Sequence, residues 1–486
     1  MILLKHIIIK KLKLIKFGLM VLQQLMVILL IPHQEIKGSH MKKPELLSPA
    51  GTLKNLRYAT AFGADAVYAG QPRYSLRIRN NEFDYQTLES AIRELHDAGK
   101  KLYMVVNIQP HNIKVKKFAK DLADIVALNP DALIMSDPGM IMMVREAYPD
   151  MPIHLSVQAN TINFASVRFW EKMGLKRIIL SRELHLDEIR EIRDECPQME
   201  LEVFVHGALC MAYSGRCLLS GYLTHRDSNQ GACTNSCRWA YKIHKAVEDD
   251  TGELVEPDLG SDLVTPHSYL LEEPKRPGEL MACDEDEHGT YIMNSRDLRA
   301  VEHVQKLCEI GVDSLKIEGR TKSFYYCART ASVYRRAIDA AMRGENIVEE
   351  LKSELESLAH RGYTDGFLTR HGISEYQNYD YGYSISDKSQ FVGEVTGVDA
   401  DGLWQVSVRN RFELGDTLEI LSPGVREFIT LDNLLDKKKQ PVTVAPGDGH
   451  VVFFKCPLPP EYAHMGIIVR HFRNGENTRQ PVIRQK

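Results

Sequence analysis

The sequence has no surplus of positive charge. Its 61 lysines and arginines face 65 aspartates and glutamates, for a formal net charge of −4. Residues 1–40 hold six lysines (Lys5, Lys10, Lys11, Lys13, Lys16, Lys37) and one acid, Glu35, so they contribute +5 and the remainder stands at −9. Such a body argues against DNA as a partner, and any RNA contact must come from a local basic patch. Two hydrolase signatures are missing: the chain has no H-E-x-x-H zinc motif and no G-x-S-x-G nucleophile elbow. Long apolar runs are scarce too. The run Phe17–Pro32 is broken by Gln23-Gln24 and, at about sixteen residues, is short for a spanning helix. Lysines precede it, but no small-x-small cleavage site follows. We expect residues 1–40 to be an N-terminal extension, disordered or a mis-assigned start, and the protein to be cytoplasmic. The alternative is a genuine anchor at the inner face of a membrane. There is no low-complexity segment and no repeat beyond an alternation of strand and helix.

What is present is ordinary globular material, 44% hydrophobic and 26% charged over 486 residues, enough for two or three domains. From Glu45, short apolar runs predict eight strands: 46–49, 66–69, 102–107, 132–136, 153–157, 177–180, 201–205 and 314–317. Amphipathic stretches at 85–98, 115–128 and 186–194 predict helices between them; Leu88, Ala91, Ile92 and Leu95 make one apolar stripe. Eight such units predict an α/β fold, a (β/α)8 TIM-like barrel, and their regularity favours closure over an open doubly wound sheet. We expect this barrel to occupy 41–345, with a Cys-rich loop at 206–240, an acidic insertion at 248–289 and a small extra strand at 291–293. Helices at 324–343 and 349–360 follow, the second within a helical linker at 346–381. Over 382–486 short strands at 391–395, 404–408, 416–421, 426–431 and 450–454 alternate with Gly and Pro turns, which predicts a small antiparallel β-barrel.

Nine cysteines are present, and four of them crowd into one Gly- and Ser-rich stretch. Cys210, Cys217, Cys233 and Cys237 follow the pattern C-x6-C-x15-C-x3-C. Four thiolates can hold one soft metal centre. Cys233 and Cys237 fit the pairwise spacing of structural zinc, but Cys210 and Cys217 stand too far apart for it. An iron–sulfur cluster tolerates wider spacing, and spacing leaves both open. The other five, Cys196, Cys283, Cys308, Cys327 and Cys456, are scattered singly.

In a barrel of this kind the active face lies at the C-terminal ends of the strands. The polar residues there are Ser48, Tyr68, Asn107, Gln158, Asn160, Arg182, Glu183, His206, Glu318 and Arg320. Such side chains are costly inside a parallel sheet unless paired. The candidate catalytic set is Glu318, Arg320, His206, Asn107 and Gln158. Glu318 and Arg320 could equally brace the rim as an ion pair. The loop after the second strand carries Arg73, Tyr74, Arg77 and Arg79. Arginine can grip phosphate and tyrosine can stack on bases, so these four, with Arg182 and Tyr68, form the candidate substrate-binding set. A solvated basic loop is the plainer reading. Lys437-Lys438-Lys439 is a weaker phosphate-contact candidate.

The stretch Glu202-x-Phe204-x-x-Gly207-Ala208-Leu209-Cys210-x4-Gly215-x-Cys217-x-Leu219-Ser220 resembles the signature of the U32 peptidase (collagenase-like) family, and the likeness runs from about Glu45 through Arg320 and onward. Within the family the chain is most similar to the branch that forms 5-hydroxyuridine at the tRNA wobble position, with prephenate implicated in supplying the hydroxyl. The resemblance implies a [4Fe–4S] cluster on Cys210, Cys217, Cys233 and a fourth ligand, which is Cys237 in some relatives and lies nearer Cys283 in others; we expect Cys237. It implies tRNA as partner, together with an electron donor or partner protein. If prephenate binds, its two carboxylates would suit Arg182 and Arg320, since a guanidinium takes a carboxylate in two parallel hydrogen bonds. Two further readings stay open. One is a peptidase, with His206 and Cys210 as a thiol–imidazole pair. The other is a non-enzymatic, cluster-bearing subunit that binds tRNA.

Overall fold

The computed structural model describes residues 41–76, 82–209, 296–369, 386 and 388–473, together with the backbone of five short strands between 247 and 291. Strands β1 (Glu45–Ala50), β2 (Ala66–Gly70), β3 (Lys101–Val106), β4 (Ala132–Met135), β5 (Ile153–Leu155), β6 (Arg177–Ile179) and β7 (Glu200–Ala208) pair in parallel with their sequence neighbours. The eighth strand, β8 (Ser314–Ile317), closes the ring. It pairs with β1 through Glu45↔Ser314 and with β7 through Ser314↔Glu202. The expected barrel is present, with all eight predicted strands in place.

The helices that cover it are α1 (Leu53–Ala61), α2 (Tyr85–Asp97), α3 (Asn112–Ala127), α4 (Pro138–Ala147), α5 (Phe164–Lys172), α6 (Leu186–Glu195), α7 (Val304–Ile310), α8 (Phe324–Arg343) and α9 (Val348–Leu355). Local chemistry sets their ends. The Asp84 carboxylate accepts from Thr87 N at 2.7 Å to start α2, whose buried face is the stripe Leu88, Ala91, Ile92, Leu95. Burying each of its larger residues contributes roughly 1.5–3 kcal/mol. His185 and Glu188 form a reciprocal capping box on α6. Helix α9 stops short of the predicted 360, because the chain turns back through Gly362 at φ +75°, whose N–H donates to the His360 ring at 3.0 Å.

One departure shapes the mouth of the barrel. The register of β7 against β8 shifts between Lys316 and Ile317, so that Ile317 faces His206. Gly207 sits there at φ +111°, where a Cβ would lie 2.5 Å from Glu318 O. Beyond it, the end of β7 takes a second neighbour, the antiparallel strand Asp297–Arg299, which pairs in turn with Tyr363–Thr364. The extra strand expected at 291–293 falls instead at Gly289–Tyr291, paired with the acidic strand Leu280–Asp286.

The C-terminal region is antiparallel. Strands β9 (Ser389–Val398), β10 (Leu403–Val408), β11 (Thr417–Ser422), β12 (Val425–Thr430), β13 (Val451–Lys455) and β14 (Ile467–His471) form one sheet in the order β12-β11-β14-β9-β10-β13. Irregularities at Phe391/Gly393 and Val395/Gly397 bend β9. The sheet curls over Trp404, Val406, Phe412, Phe454 and Ile468. It packs on α1 and α8, where the Tyr325 and Phe391 rings stack at 5.4 Å and the Tyr58 hydroxyl donates to Glu394 at 2.9 Å. Among the described residues, no helix is long and apolar enough to cross a membrane.

Candidate active site at the barrel mouth

The mouth of the barrel opens into a cavity of about 620 Å³, counting the space open to solvent. Its walls differ. Val105, Ile134, Val157, Ile179 and Phe204 make an apolar side. Asn107, Ser156 and Gln158 make an amide side, linked in a chain: Asn107 Nδ2 donates to Ser156 Oγ at 3.3 Å, and Ser156 Oγ to Gln158 Oε1 at 3.2 Å. Leu76 N donates to Asn107 Oδ1 at 3.2 Å, tying that wall to the loop after β2. Arg182, Lys316, Glu318 and Arg320 make a charged side, with Tyr68 between.

Each charged group is held from behind. Arg182 lies over the Phe204 ring at 4.4 Å and donates to Ala208 O at the end of β7. Arg320 donates to Ser75 Oγ at 2.5 Å and stands 6.0 Å from the Tyr68 ring centroid. Gly70 makes room for it: a Cβ there would lie 2.6 Å from Arg320 Nη1. Glu318 is positioned through its backbone, with its N–H donating to His206 O at 2.8 Å and its carbonyl accepting from Tyr326 at 2.7 Å. Gly319, at φ +144°, lets the Tyr326 ring pass within what would be 2.6 Å of a Cβ. Tyr68 donates to Ile317 O at 2.9 Å, and burial together with Glu318 raises its pKa far above the ordinary range, so it remains a neutral phenol.

The cavity thus gathers Tyr68, Asn107, Gln158, Arg182, Glu318 and Arg320 from the residues singled out in the sequence. Three other members of the candidate catalytic and binding sets, His206, Tyr74 and Arg73, lie elsewhere. His206 turns to the outer side of β7, enclosed by the rings of Tyr326, Tyr334 and Tyr363 at 5.5–5.8 Å. Burial pushes its pKa down to about 3, against the pull of Asp297. This neutral packed ring does not face the cavity. Tyr74 is also buried; its ring meets Phe118 edge-on and its hydroxyl donates to Asp121 at 2.8 Å, so it offers no stacking surface. Arg73 is exposed and pairs with the same carboxylate at 3.0 Å. Arg77, Arg79 and the four cysteines Cys210, Cys217, Cys233 and Cys237 lie outside the described residues. Lys439, in the weak basic candidate, pairs with Asp399 and covers the Phe453 ring at 3.5 Å.

The sequence reading missed the floor. Lys316 Nζ stands 2.7 Å from Glu202 Oε1, while Arg177 reaches Glu202 at 3.2 Å, Glu45 at 2.7 Å and Glu200 at 2.9 Å. Tyr103 donates to Glu45 at 2.7 Å and packs edge-on against the His154 ring at 4.6 Å. Burial opposes the charge on Glu45, but Arg177, with Tyr103 and Lys101, outweighs it and holds this carboxyl below its usual range. The signal was available: Arg177, Glu202 and Lys316 each stand in a mostly apolar parallel strand, where a charge needs a partner.

Among the described residues, no three His, Cys, Asp or Glu side chains are placed to hold a metal ion. The segment that carries the four cysteines begins at Cys210, directly after buried Leu209 and two residues past Ala208, whose carbonyl a cavity arginine binds.

The sequence as a whole has close relatives. It is 58% identical over 452 residues to tRNA hydroxylation protein P of Escherichia coli (strain K12), covering 91% of this chain and 99% of that one. It is 58% identical over 456 residues to tRNA hydroxylation protein P of Haemophilus influenzae, covering 90% and 98%. A more distant relative is the 23S rRNA 5-hydroxycytidine C2501 synthase of Escherichia coli, 29% identical over 388 residues, covering 78% of this chain and 52% of that one. The family model for Peptidase family U32 matches residues 51–378, and that for the Peptidase family U32 C-terminal domain matches 387–470. With both models matched and relatives covered nearly end to end, the chain belongs to peptidase family U32.

Proposed function

We propose that this protein is an RNA-hydroxylating enzyme that takes part in forming 5-hydroxyuridine at the wobble position of tRNA. The observation that carries this reading is the 58% identity to two proteins named for tRNA hydroxylation, each covered over at least 98% of its length. The relative named for hydroxylating a cytidine of ribosomal RNA points to the same reaction class on another pyrimidine.

The cavity supports the reading by its division of walls. A wobble base sits in a single-stranded loop and can be splayed out at small cost. The amide wall, Asn107 and Gln158, offers donors and acceptors suited to a pyrimidine edge, and the apolar wall suits a ring face. Arg182 and Arg320 offer guanidinium groups to carboxylates, which fits prephenate as the small-molecule partner. Cys210, Cys217, Cys233 and Cys237 would hold a [4Fe–4S] cluster, which supplies one-electron transfer when bound. Four thiolate ligands would leave no iron open, so binding and orientation of substrate would fall to the cavity residues. The thiol-protease alternative loses its base in His206, a buried ring whose Nδ1 lies 3.3 Å from the Tyr334 hydroxyl.

The test is mass spectrometry of tRNA nucleosides from a strain lacking the gene, beside its complemented parent. Loss of 5-hydroxyuridine derivatives and their return on complementation is expected. Unchanged nucleosides in a strain that also lacks any parallel hydroxylation route would overturn the proposal.

A further inference from the structure

The floor of the cavity holds a lysine in unusual company. Lys316 is nearly fully buried, yet it lines the cavity, 4.4 Å from the Tyr68 ring centroid and 5.4 Å from that of Phe204. The same two rings carry the cavity's arginines, Arg320 at 6.0 Å from Tyr68 and Arg182 at 4.4 Å from Phe204. Three cationic side chains therefore surround one small volume. A ligand with a carbonyl beside a carboxylate can meet the amine and a guanidinium at once, with its carbon skeleton against Val105, Ile134 and Ile179.

We propose that Lys316 captures the carbonyl of a 2-oxo acid as an imine on Nζ, with Arg182 or Arg320 taking the adjacent carboxylate. This deepens the reading of the cavity as a small-molecule subsite and rests on it. The step balances without an oxidant or reductant. The ammonium of Lys316 lends a proton to Glu202, the free amine adds to the carbonyl carbon, and Glu202 returns the proton to the carbinolamine oxygen as it leaves as water, so ammonium plus ketone becomes iminium plus water with no net change of charge.

The charge arrangement favours Lys316 for this role. Glu202 is bridged by two cations, and one of them, Arg177, keeps its proton under all conditions. When the proton passes to Glu202 both partners become neutral together, and Arg177 keeps its pairs with Glu45 and Glu200, so no charge is stranded. Burial lowers the pKa of Lys316 from its ordinary value, opposed by Glu202 and aided by Arg177 and Arg320. A buried amine that sheds its proton beside other cations is one form of a nucleophilic lysine.

The experiment treats the purified full chain with pyruvate, and separately with prephenate, in the presence of sodium cyanoborohydride, and maps the reduced adducts by peptide mass spectrometry. Expected is a saturable adduct on the peptide containing Lys316, lost in Lys316→Arg and weakened in Arg182→Ala. Adducts confined to exposed lysines, in the proportions found with unfolded protein, would overturn the proposal. Should Lys316→Arg fail to fold, the map of the wild-type protein decides alone. The readout needs no tRNA. An adduct without any change in tRNA nucleosides would sink the RNA reading and keep the capture, and changed nucleosides without an adduct would do the reverse.

Discussion

At the scale of single residues, the cavity depends on small spaces left for large groups. Gly70 is the sharpest case, since a methyl group there would lie 2.6 Å from Arg320 Nη1 and 2.8 Å from Ser75 Oγ. Its backbone is not in the left-handed region, so alanine is tolerated by the chain itself, and the flexible guanidinium end moves instead. Gly70→Ala should therefore melt within a few degrees of the parent while 5-hydroxyuridine formation falls by about tenfold or more, as expected when a positioning group shifts by about 1 Å. A variant with full activity would remove Arg320 from the site. Alanine at Glu318 and at Arg320, assayed the same way, should each abolish most activity; survival of both would mean that the mouth is not the site. Most of this set was legible because it stands just past a strand end. His206 was misread for a physical reason. Phe204 faces the cavity, and strict alternation would return His206 to it, but the register shift against β8 turns the ring outward to the tyrosines. Lys316 escaped notice because it stands inside a strand rather than after one.

At the scale of elements, the long helix α8 joins the barrel to the C-terminal sheet. Arg329, wholly buried in its second turn, bonds Glu354 of α9 at 3.0 Å and takes both carboxylate oxygens of Glu419 on β11, one of them at 2.8 Å. Arg426 and His471 also reach Glu419, at 2.6 and 2.9 Å. Burial works against the Glu419 charge, but Arg329, His471 and Arg426 together outweigh it and hold the carboxyl far below its usual range. Removing one partner of a buried ion pair strands the other, a cost of about 3–5 kcal/mol. Arg329→Met should lower the free energy of unfolding, read from urea denaturation, by that order, and Arg329→Met with Glu419→Gln should recover part of the loss. Additive losses in a double-mutant cycle would show that the pair is not coupled. Sequence periodicity predicts the helix but not this junction, since nothing along the chain says which strand an arginine on a helix will meet. Strand β14 was also missed. Its Ile467-Ile468-Val469 core is buried throughout and shows no alternation, as suits a strand in the middle of its sheet.

At the scale of the whole molecule, the barrel was readable because eight apolar runs recur between amphipathic helices, and closure is the way to pair both edges of such a sheet. What the runs do not reveal is how much polar material the fold encloses, and this sets its response to acid. His206 and His154 are both buried and neutral. Burial pushes His206 down to about 3, and burial with Arg177 and Lys316 nearby holds His154 well below its ordinary value. In the unfolded chain each takes up a proton below about pH 6.5. The folded state binds fewer protons than the unfolded one in that window, so stability rises with pH and is lost as pH falls below about 6.5. Each histidine contributes a slope of up to about 1.4 kcal/mol per pH unit. The carboxylates act later. Burial opposes the charge of Glu356, but His360 and Arg299 hold its pKa at about 2, so its contribution is present above its unfolded value near 4.3 and fades only below that. Urea midpoints measured from pH 7.5 to 5 should therefore already decline, before any carboxylate titrates. His206→Gln should remove about half of that slope whatever it does to stability at pH 7.5. A flat profile down to pH 5 would mean that both rings gain protons in the folded state, with the tyrosine shell around His206 open to water.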